Sequence, residues 1–405
     1  MADITQPLQL PCGATLLNRL AKASMSEQLA ESDGVPSEGM VRLYERWGRG
    51  GAGLLITGHV LIDRSHMAES GNVVIDGDGG LEALQRVAAA ATARGAHAWV
   101  QLNHPGRQTP RFVDPAPVSA SAVPLAVGGG AFAMPRALSD TEVRDIVSRF
   151  ANAALIAERA GFTGVQIHGA HGYLVSQFLS PIVNRRDDDW GGDAQRRMRF
   201  LLEIVRSVRS VVSSGFAVGV KLNSADFQRG GFSEDDAFNV IDALGDEGVD
   251  LLEVSGGTYE RAAMFAEKSA ESTRLREAFF IEFAERAQRV ARMPLMVTGG
   301  FRTRSAMDAA IASGAVDVVG LARPLAVEPD LCARLLDGQA KGAISVRLST
   351  GWKLLDSAMI GVWHQQQLRR MGSGADPDPR LSRIRALMVY LRGVMQTRTA
   401  RQRPG

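Results

Sequence analysis

The stretch "GVQIHGAHGYLVSQFLSP", residues 164–181, decides how the rest of the chain is read. A short β-rich run ends abruptly in His168, His171 and Tyr173, and a helical pattern follows. A strand that ends in proton-handling side chains and runs on into a helix is the repeating unit of an α/β fold. The same strand signal recurs at 19–25, 53–60, 96–102, 216–222, 249–255, 294–300 and 316–322. Most of these runs are continuously apolar rather than alternating, as parallel strands buried on both faces should be. Helical patterns occupy 79–94, 140–160, 195–213, 233–247, 275–292 and 303–314, and two of them open with capping signatures, "SDTEVRDI" at 139 and "SEDDAF" at 233. Eight strands in β/α alternation predict a (β/α)8 barrel. A doubly wound sheet with a second domain is the alternative, but no glycine-rich strand–turn–helix opens the chain.

Two segments interrupt the alternation. Residues 103–138 are rich in Pro, Gly and Ala, and a loop of that length is expected to be functional, such as a cover over the site. Residues 345–405 add helices outside the barrel count, so the expected organisation is a barrel over 1–344 followed by a helical extension. The last stretch places Leu381, Ile384, Leu387, Met388, Leu391 and Met395 on one helical face with arginines elsewhere, a face expected to pack on the barrel or on a second copy.

Composition bounds the function. The 405 residues carry a formal charge of only +2, so no global field recruits nucleic acid or an anionic membrane. Cys12 and Cys332 are the only cysteines, too few for a disulfide framework, a four-cysteine iron–sulfur cluster or a cysteine-rich zinc site. No apolar run approaches the roughly 20 residues of a membrane span, and the N-terminus lacks the pattern of a signal peptide. A cytoplasmic protein is the expectation.

Barrel chemistry sits at the C-terminal ends of the strands. Three readings of His168, His171 and Tyr173 stand side by side: a helix cap with a buried histidine, a His-x-x-His metal clamp, and an oxygen-binding pocket. In the last, two imidazoles grip one oxygen and the phenol delivers a proton. A catalytic zinc wants a third protein ligand, and none is obvious nearby. The end of the chain shifts the balance. Gly299, Gly300 and Phe301 separate the seventh strand from a helix beginning near Thr303, and Ala322 and Arg323 close the eighth. A glycine turn, a helix N-terminus and an arginine at those two places make a phosphate site.

With those residues assigned, the chain resembles the Old Yellow Enzyme family of NAD(P)H:flavin oxidoreductases, FMN-containing (β/α)8 barrels. The resemblance spans roughly residues 5–340 and rests on four segments. They are "LLNRLAKASMSE" (16–27), "QLNHPGRQ" (101–108), "HGAHGYLVSQFLSPIVNRRDDDWGGDAQRRMRF" (168–200) and "VTGGFRTRSAMDAAIASGAVDVVGLARPLAVEPDL" (297–331). It implies that Ala23, Ser24, Met25 and Ser26 lie against the flavin, with Ser26 bonded to its O4/N5 edge. Gly58 would leave room for the ring, Gln101 would pair with the pyrimidine edge, and Lys221 would set a positive charge beside N1/O2. Gly299, Gly300, Ala322 and Arg323 would hold the phosphate, with Phe301 close by. His168, His171 and Tyr173 would face the substrate, and His168 would also touch the cofactor.

Family members often carry proline at Ser24, threonine or cysteine at Ser26, arginine at Lys221 and, in some, asparagine at His171. The iron–sulfur cluster and second nucleotide-binding region that larger relatives add are not expected here. The implied reaction is reduction of the C=C bond of an α,β-unsaturated carbonyl compound, with FMN as cofactor and NADH or NADPH as reductant. Rival readings are a quinone, nitro compound or dioxygen as acceptor, a metal-dependent hydrolase, and a non-catalytic barrel. No metal site, nucleic-acid partner or membrane span is expected, and a homo-oligomer is possible on this reading. His59, His66, His97, His104 and His364 are expected to be structural or solvent-facing. The acidic run 184–193 is expected to be a structural loop, and Tyr259 with the segment to Ser272 to border the cavity.

Overall fold

Eight parallel strands close into a barrel: β1 (Leu20–Lys22), β2 (Leu54–Leu61), β3 (His97–Asn103), β4 (Gly164–Gly169), β5 (Ala217–Asn223), β6 (Leu251–Ser255), β7 (Leu295–Thr298) and β8 (Val318–Leu321). The computed structural model describes residues 2–127, 129–260, 280–346 and 353–388. β8 pairs with β1, so the ring has no edge strand. Helices α1 (Glu38–Gly48), α2 (Leu81–Thr92), α3 (Asp140–Arg159), α4 (Leu174–Leu179), α5 (Ala194–Val211), α6 (Glu234–Asp246), α7 (Ile281–Ala287) and α8 (Arg304–Ala312) cover the outside. The buried outward-facing residues of the strands, such as Leu55, Val100, Val165, Ile167, Val218 and Val220, join one continuous core with them.

Inside the barrel, side chains two apart stack in layers. The lowest layer is apolar: Leu54, Ile56, Trp99, Ala217, Leu251, Met296 and Val318 form a separate cluster. An antiparallel pair, Leu8–Gln9 with Thr15–Leu16, closes this end and brings Leu10 and Leu16 into the same cluster. Trp99 fills the interior only because Gly164 and Gly219 lack side chains, since a Cβ on either would lie 2.7 Å from its ring. One layer up the interior turns polar, with Gln101, Gln166, Lys221 and Glu253 all buried. Above these lie His168 and Ser255, at the mouth.

Several elements differ from the sequence reading. α1 was not anticipated, because the glycines at both ends of "EGMVRLYERWG" and its four charged residues dilute the pattern that Met40, Leu43, Tyr44 and Trp47 bury. β1 and β7 are shorter than their apolar runs, since residues 24–25 and 299–300 leave the sheet to build the rim. The helix expected over 275–292 is seen at Ile281–Ala287, while 275–279 lie outside the described residues.

Beyond the barrel lie α9 (Arg323–Val327), α10 (Leu331–Leu336) and α11 (Lys353–Gly372). α11 ends against α1, where Arg42 Nε donates to the Gly372 carbonyl at 2.7 Å. Residues 383–388 are helical, but Ile384 and Met388 point outward and Ala386 is the buried contact, packed with Trp363 and Val327. Of the expected apolar face, Leu381 does pack against that cluster while Ile384 and Met388 do not, and Leu391 and Met395 lie outside the described residues. No helix among the described residues is long and apolar enough to cross a membrane.

Candidate active site

A cavity of about 480 Å³ opens at the C-terminal mouth of the barrel. Of the residues singled out from the sequence, Ser24, Met25, Ser26, Gln101, His168, His171, Tyr173, Lys221, Gly299, Ala322 and Arg323 line it. Four others do not. Ala23 belongs to the apolar plug beneath, and Phe301 is buried in the outer core. Gly58 makes room for protein rather than for the cavity: a Cβ there would lie 2.1 Å from Glu27 Oε2 and 2.4 Å from the Met25 carbonyl. Gly300 stands just behind Gly299, and both hold positive φ, 97° and 112°, which glycine adopts without strain.

The histidine–tyrosine group is built by the turn after β4. His171 has φ +62°, an uncommon backbone for a non-glycine residue, and Gly172 follows at +77°. The turn is held from several sides: His171 N donates to Asn223 Oδ1 at 3.2 Å, and Gln177 Nε2 donates to the Gly172 carbonyl at 2.7 Å. The result is a three-ring cluster. The His168 ring lies 5.1 Å from that of His171 and 4.9 Å from that of Tyr173, edge to face in both cases. His168 Nδ1 accepts from the Ala170 N–H at 3.3 Å, which assigns its proton to Nε2. His171 Nε2 bonds Ser255 Oγ at 2.6 Å, and Tyr173 Oη bonds Tyr259 Oη at 2.8 Å.

Burial drives both imidazoles well below the usual histidine range, aided by the Lys221 charge and, for His168, by His171. Burial also drives Tyr173 well above the usual phenol range, with Tyr259 and the Glu69 charge adding to it. At neutral pH the cluster is therefore two neutral imidazoles and a protonated phenol, a set that donates hydrogen bonds without bearing charge.

Beneath it runs a directed polar chain. Ser24 Oγ donates to Gln101 Oε1 at 2.8 Å, Gln101 Nε2 to Gln166 Oε1 at 2.7 Å, and Gln166 Nε2 to Glu253 Oε2 at 2.8 Å. Glu253 Oε1 ends the chain against Lys221 Nζ at 2.9 Å. Gln101 keeps one amide hydrogen and one lone pair for a ligand.

The sequence reading missed His59, Glu69, Ser255, Gln166 and Glu253. His59 was expected to be structural but lines the cavity, because the β2–β3 register shifts between Ile56 and His59. Such a bulge redirects the side chain that follows it. Gln166 and Glu253 did leave a signal, as polar residues within otherwise apolar strands, but not one that says which way they face. Tyr259 borders the cavity as expected, whereas 261–272 lie outside the described residues.

The acidic run at 184–193 is structural in its contacts: Asp188 pairs with Arg186, and Asp193 caps α5 by accepting from Arg196 N. Asp63, His66 and His104 bring ligand-type atoms within 4.8 Å of one another. There, however, His104 Nδ1 accepts from the Gly106 N–H at 3.0 Å, so its Nε2 carries the proton and offers no lone pair.

Comparison with known proteins agrees with this geometry. The model of the NADH:flavin oxidoreductase / NADH oxidase family matches residues 3–341. The NADH-dependent flavin oxidoreductase nadA of Aspergillus parasiticus is 39% identical over 342 residues, 81% of this chain and 77% of that protein. The NADH-dependent flavin oxidoreductase iliE of Hypocrea jecorina is 40% identical over 80% of this chain and 86% of its own. Among solved structures, morphinone reductase in complex with tetrahydroNAD superposes with TM-score 0.72 at 26% identity, covering 86% of this chain and 93% of that one. Fold and site define a flavin-dependent barrel oxidoreductase. The chain belongs to the NADH:flavin oxidoreductase / NADH oxidase family, and its cofactors are FMN and NAD(P)H.

The residues present suit FMN. Arg323 lines the cavity and forms no ion pair among the described residues, as a cation awaiting a phosphate should. Its guanidinium is held below its usual range by burial and by the Arg302 charge. Thr298 Oγ1, also in the cavity wall, is buried without a hydrogen-bond partner.

Proposed function

We propose that the protein reduces the C=C bond of α,β-unsaturated carbonyl compounds. Ser24, Met25, Ser26, Gln101, Lys221, Gly299, Ala322 and Arg323 would hold FMN, with Gly300 behind Gly299, Arg323 at the phosphate and Lys221 beside the pyrimidine edge. When bound, FMN supplies a hydride drawn from NAD(P)H.

The chain's own residues do the rest. His168 donates its Nε2–H to the carbonyl oxygen. His171 exchanges its Ser255 partner for the same oxygen, and together the imidazoles draw electron density from the β-carbon. Tyr173 gives its proton to the α-carbon as the β-carbon takes the hydride, so one hydride and one proton add across the double bond. Tyr173 then regains a proton from Tyr259, whose ring is 41% exposed and so reaches solvent. The neutral imidazole pair 5.1 Å apart beside a protonated phenol is the observation that carries this reading.

Kinetics of the holoenzyme on an enone panel test it. Tyr173→Phe should slow alkene reduction by about 10² to 10⁴-fold, the usual contribution of a positioned general acid, and spare flavin reduction by NAD(P)H. His168→Ala should cost about 10² to 10³-fold, as loss of one oxygen-binding donor does, and should also weaken carbonyl-ligand binding. Parental enone turnover by both variants overturns the assignment.

A further inference from the structure

Glu69 is the charged group in this cavity that neither cofactor binding nor proton transfer uses. It stands in the loop after β2, its backbone N–H pinned by Asn72 Oδ1 at 2.7 Å. It lines the same wall as His59, His168 and Tyr173. Its side chain is 31% exposed to the cavity side, unlike the buried Glu253 below. All its partners crowd one oxygen. Oε2 accepts from Ser26 Oγ and from Gln28 Nε2 at 2.9 Å, and His59 Nε2 lies 3.8 Å away. These contacts hold the carboxyl down at about 2, so it is ionised at any working pH. Its field reaches the reacting groups, since it helps to raise both Tyr173 and Tyr259.

The other full charges of the wall are committed elsewhere. Lys221 is neutralised by Glu253 at 2.9 Å, and Arg323 stands at the phosphate end beside Ala322. Glu69 thus brings a negative charge to the substrate end of the cavity, faced by the His59 imidazole at 3.8 Å.

We propose that Glu69 is a charge filter that sets the substrate class. The site takes neutral enones and enals, and alkenes bearing an ammonium group, and turns away α,β-unsaturated carboxylates. This rests on the proposed ene-reduction for the word substrate, but the filter itself concerns binding. A unit charge facing a ligand carboxylate across a partly screened cavity is expected to weaken it by about ten- to a hundredfold.

The test uses three unreactive phenols on oxidised holoenzyme, followed by titration calorimetry: 4-methylphenol, 4-hydroxybenzoate and tyramine. Each offers the imidazole pair the same hydroxyl and differs in the charge at the far end. The parent protein should bind 4-methylphenol and tyramine at least about tenfold more tightly than 4-hydroxybenzoate. Glu69→Gln should bring 4-hydroxybenzoate to within about threefold of 4-methylphenol and weaken tyramine, whereas Glu69→Asp, which keeps the charge, should preserve the ranking. An unchanged ranking in Glu69→Gln, or no binding of any phenol to the parent, overturns the filter. If the ranking follows expectation while enones are not turned over, the filter stands and the ene-reduction falls. If enones are reduced with no discrimination by charge, the reverse holds.

Discussion

Lys221 and Glu253 show how much one contact inside the barrel can matter. Their side chains are 6% and 0% exposed, and they meet at 2.9 Å in the layer under the cavity. Removing one partner of a buried pair leaves the other charge without compensation and typically costs about 3–5 kcal/mol, whereas replacing both by apolar groups is often neutral. Lys221→Met should therefore lower the unfolding free energy of flavin-free protein by about that amount. Adding Glu253→Leu should recover most of it. Urea titration of the two variants decides, and a single variant no weaker than the double would show that the pair is not buried as described. Lys221 was legible through the family resemblance, which sets a cation in this apolar strand. Glu253 was not, because the glutamate in "VDLLEVS" reads as an outward polar position until barrel closure sets it opposite Lys221 in the β5–β6 register.

Elements whose termini carry their own chemistry were the most legible. Ser139 accepts from Glu142 N at the start of α3, and Glu142 returns a bond to Ser139 N at 2.9 Å, the reciprocal arrangement that "SDTEV" announces. Arg136 then grips the Glu142 carboxylate, and together these bonds hold it at about 2. Ser139→Ala should cost about 1 kcal/mol of stability, as loss of an N-cap does. It should leave flavin binding untouched, because α3 lies on the outside of the barrel. A thermal scan and a flavin titration check the two halves separately, and impaired flavin uptake would contradict the placement. Elements fixed by tertiary contact were the illegible ones. α1 has the stripe Met40, Leu43, Tyr44 and Trp47 but glycines at Gly39 and Gly48, the second of which close approach requires: a Cβ on Gly48 would meet the Ala90 and Ala91 carbonyls at 2.8 Å. Helix propensity penalises glycine, and at Gly48 only the packed neighbour explains it. The β2 irregularity that turns His59 into the cavity likewise answers to the partner strand and leaves no periodic trace in "LLITGHVL".

Over the whole molecule, histidine burial gives the fold a pH dependence whose sign can be worked out. Burial pushes His104 down to about 3 and His364 to about 4, and holds His97, His168 and His171 below their usual value as well. The unfolded chain protonates these imidazoles near pH 6.5, whereas the folded chain resists until far lower. Between those values the unfolded state binds more protons, so stability rises with pH and is lost as pH falls through 6.5. Glu69 and Glu142, both held at about 2, act in the same direction but only below the ordinary carboxylate range. Asp226, pushed up by burial, works the other way. The interval from pH 7 to pH 5 thus belongs to the histidines, each contributing up to about 2 kcal/mol. Flavin-free protein should unfold at a lower urea concentration at pH 5 than at pH 7. His364 is the clean test, since it sits on α11 and bonds the Ile360 carbonyl of its own helix at 2.7 Å, away from the catalytic cluster. His364→Gln, which cannot titrate, should flatten the dependence by one group's share. Equal stability at the two pH values, or a His364→Gln slope equal to the parent's, would mean that these imidazoles meet water in the folded protein and that the packing around them is looser than the structure has it.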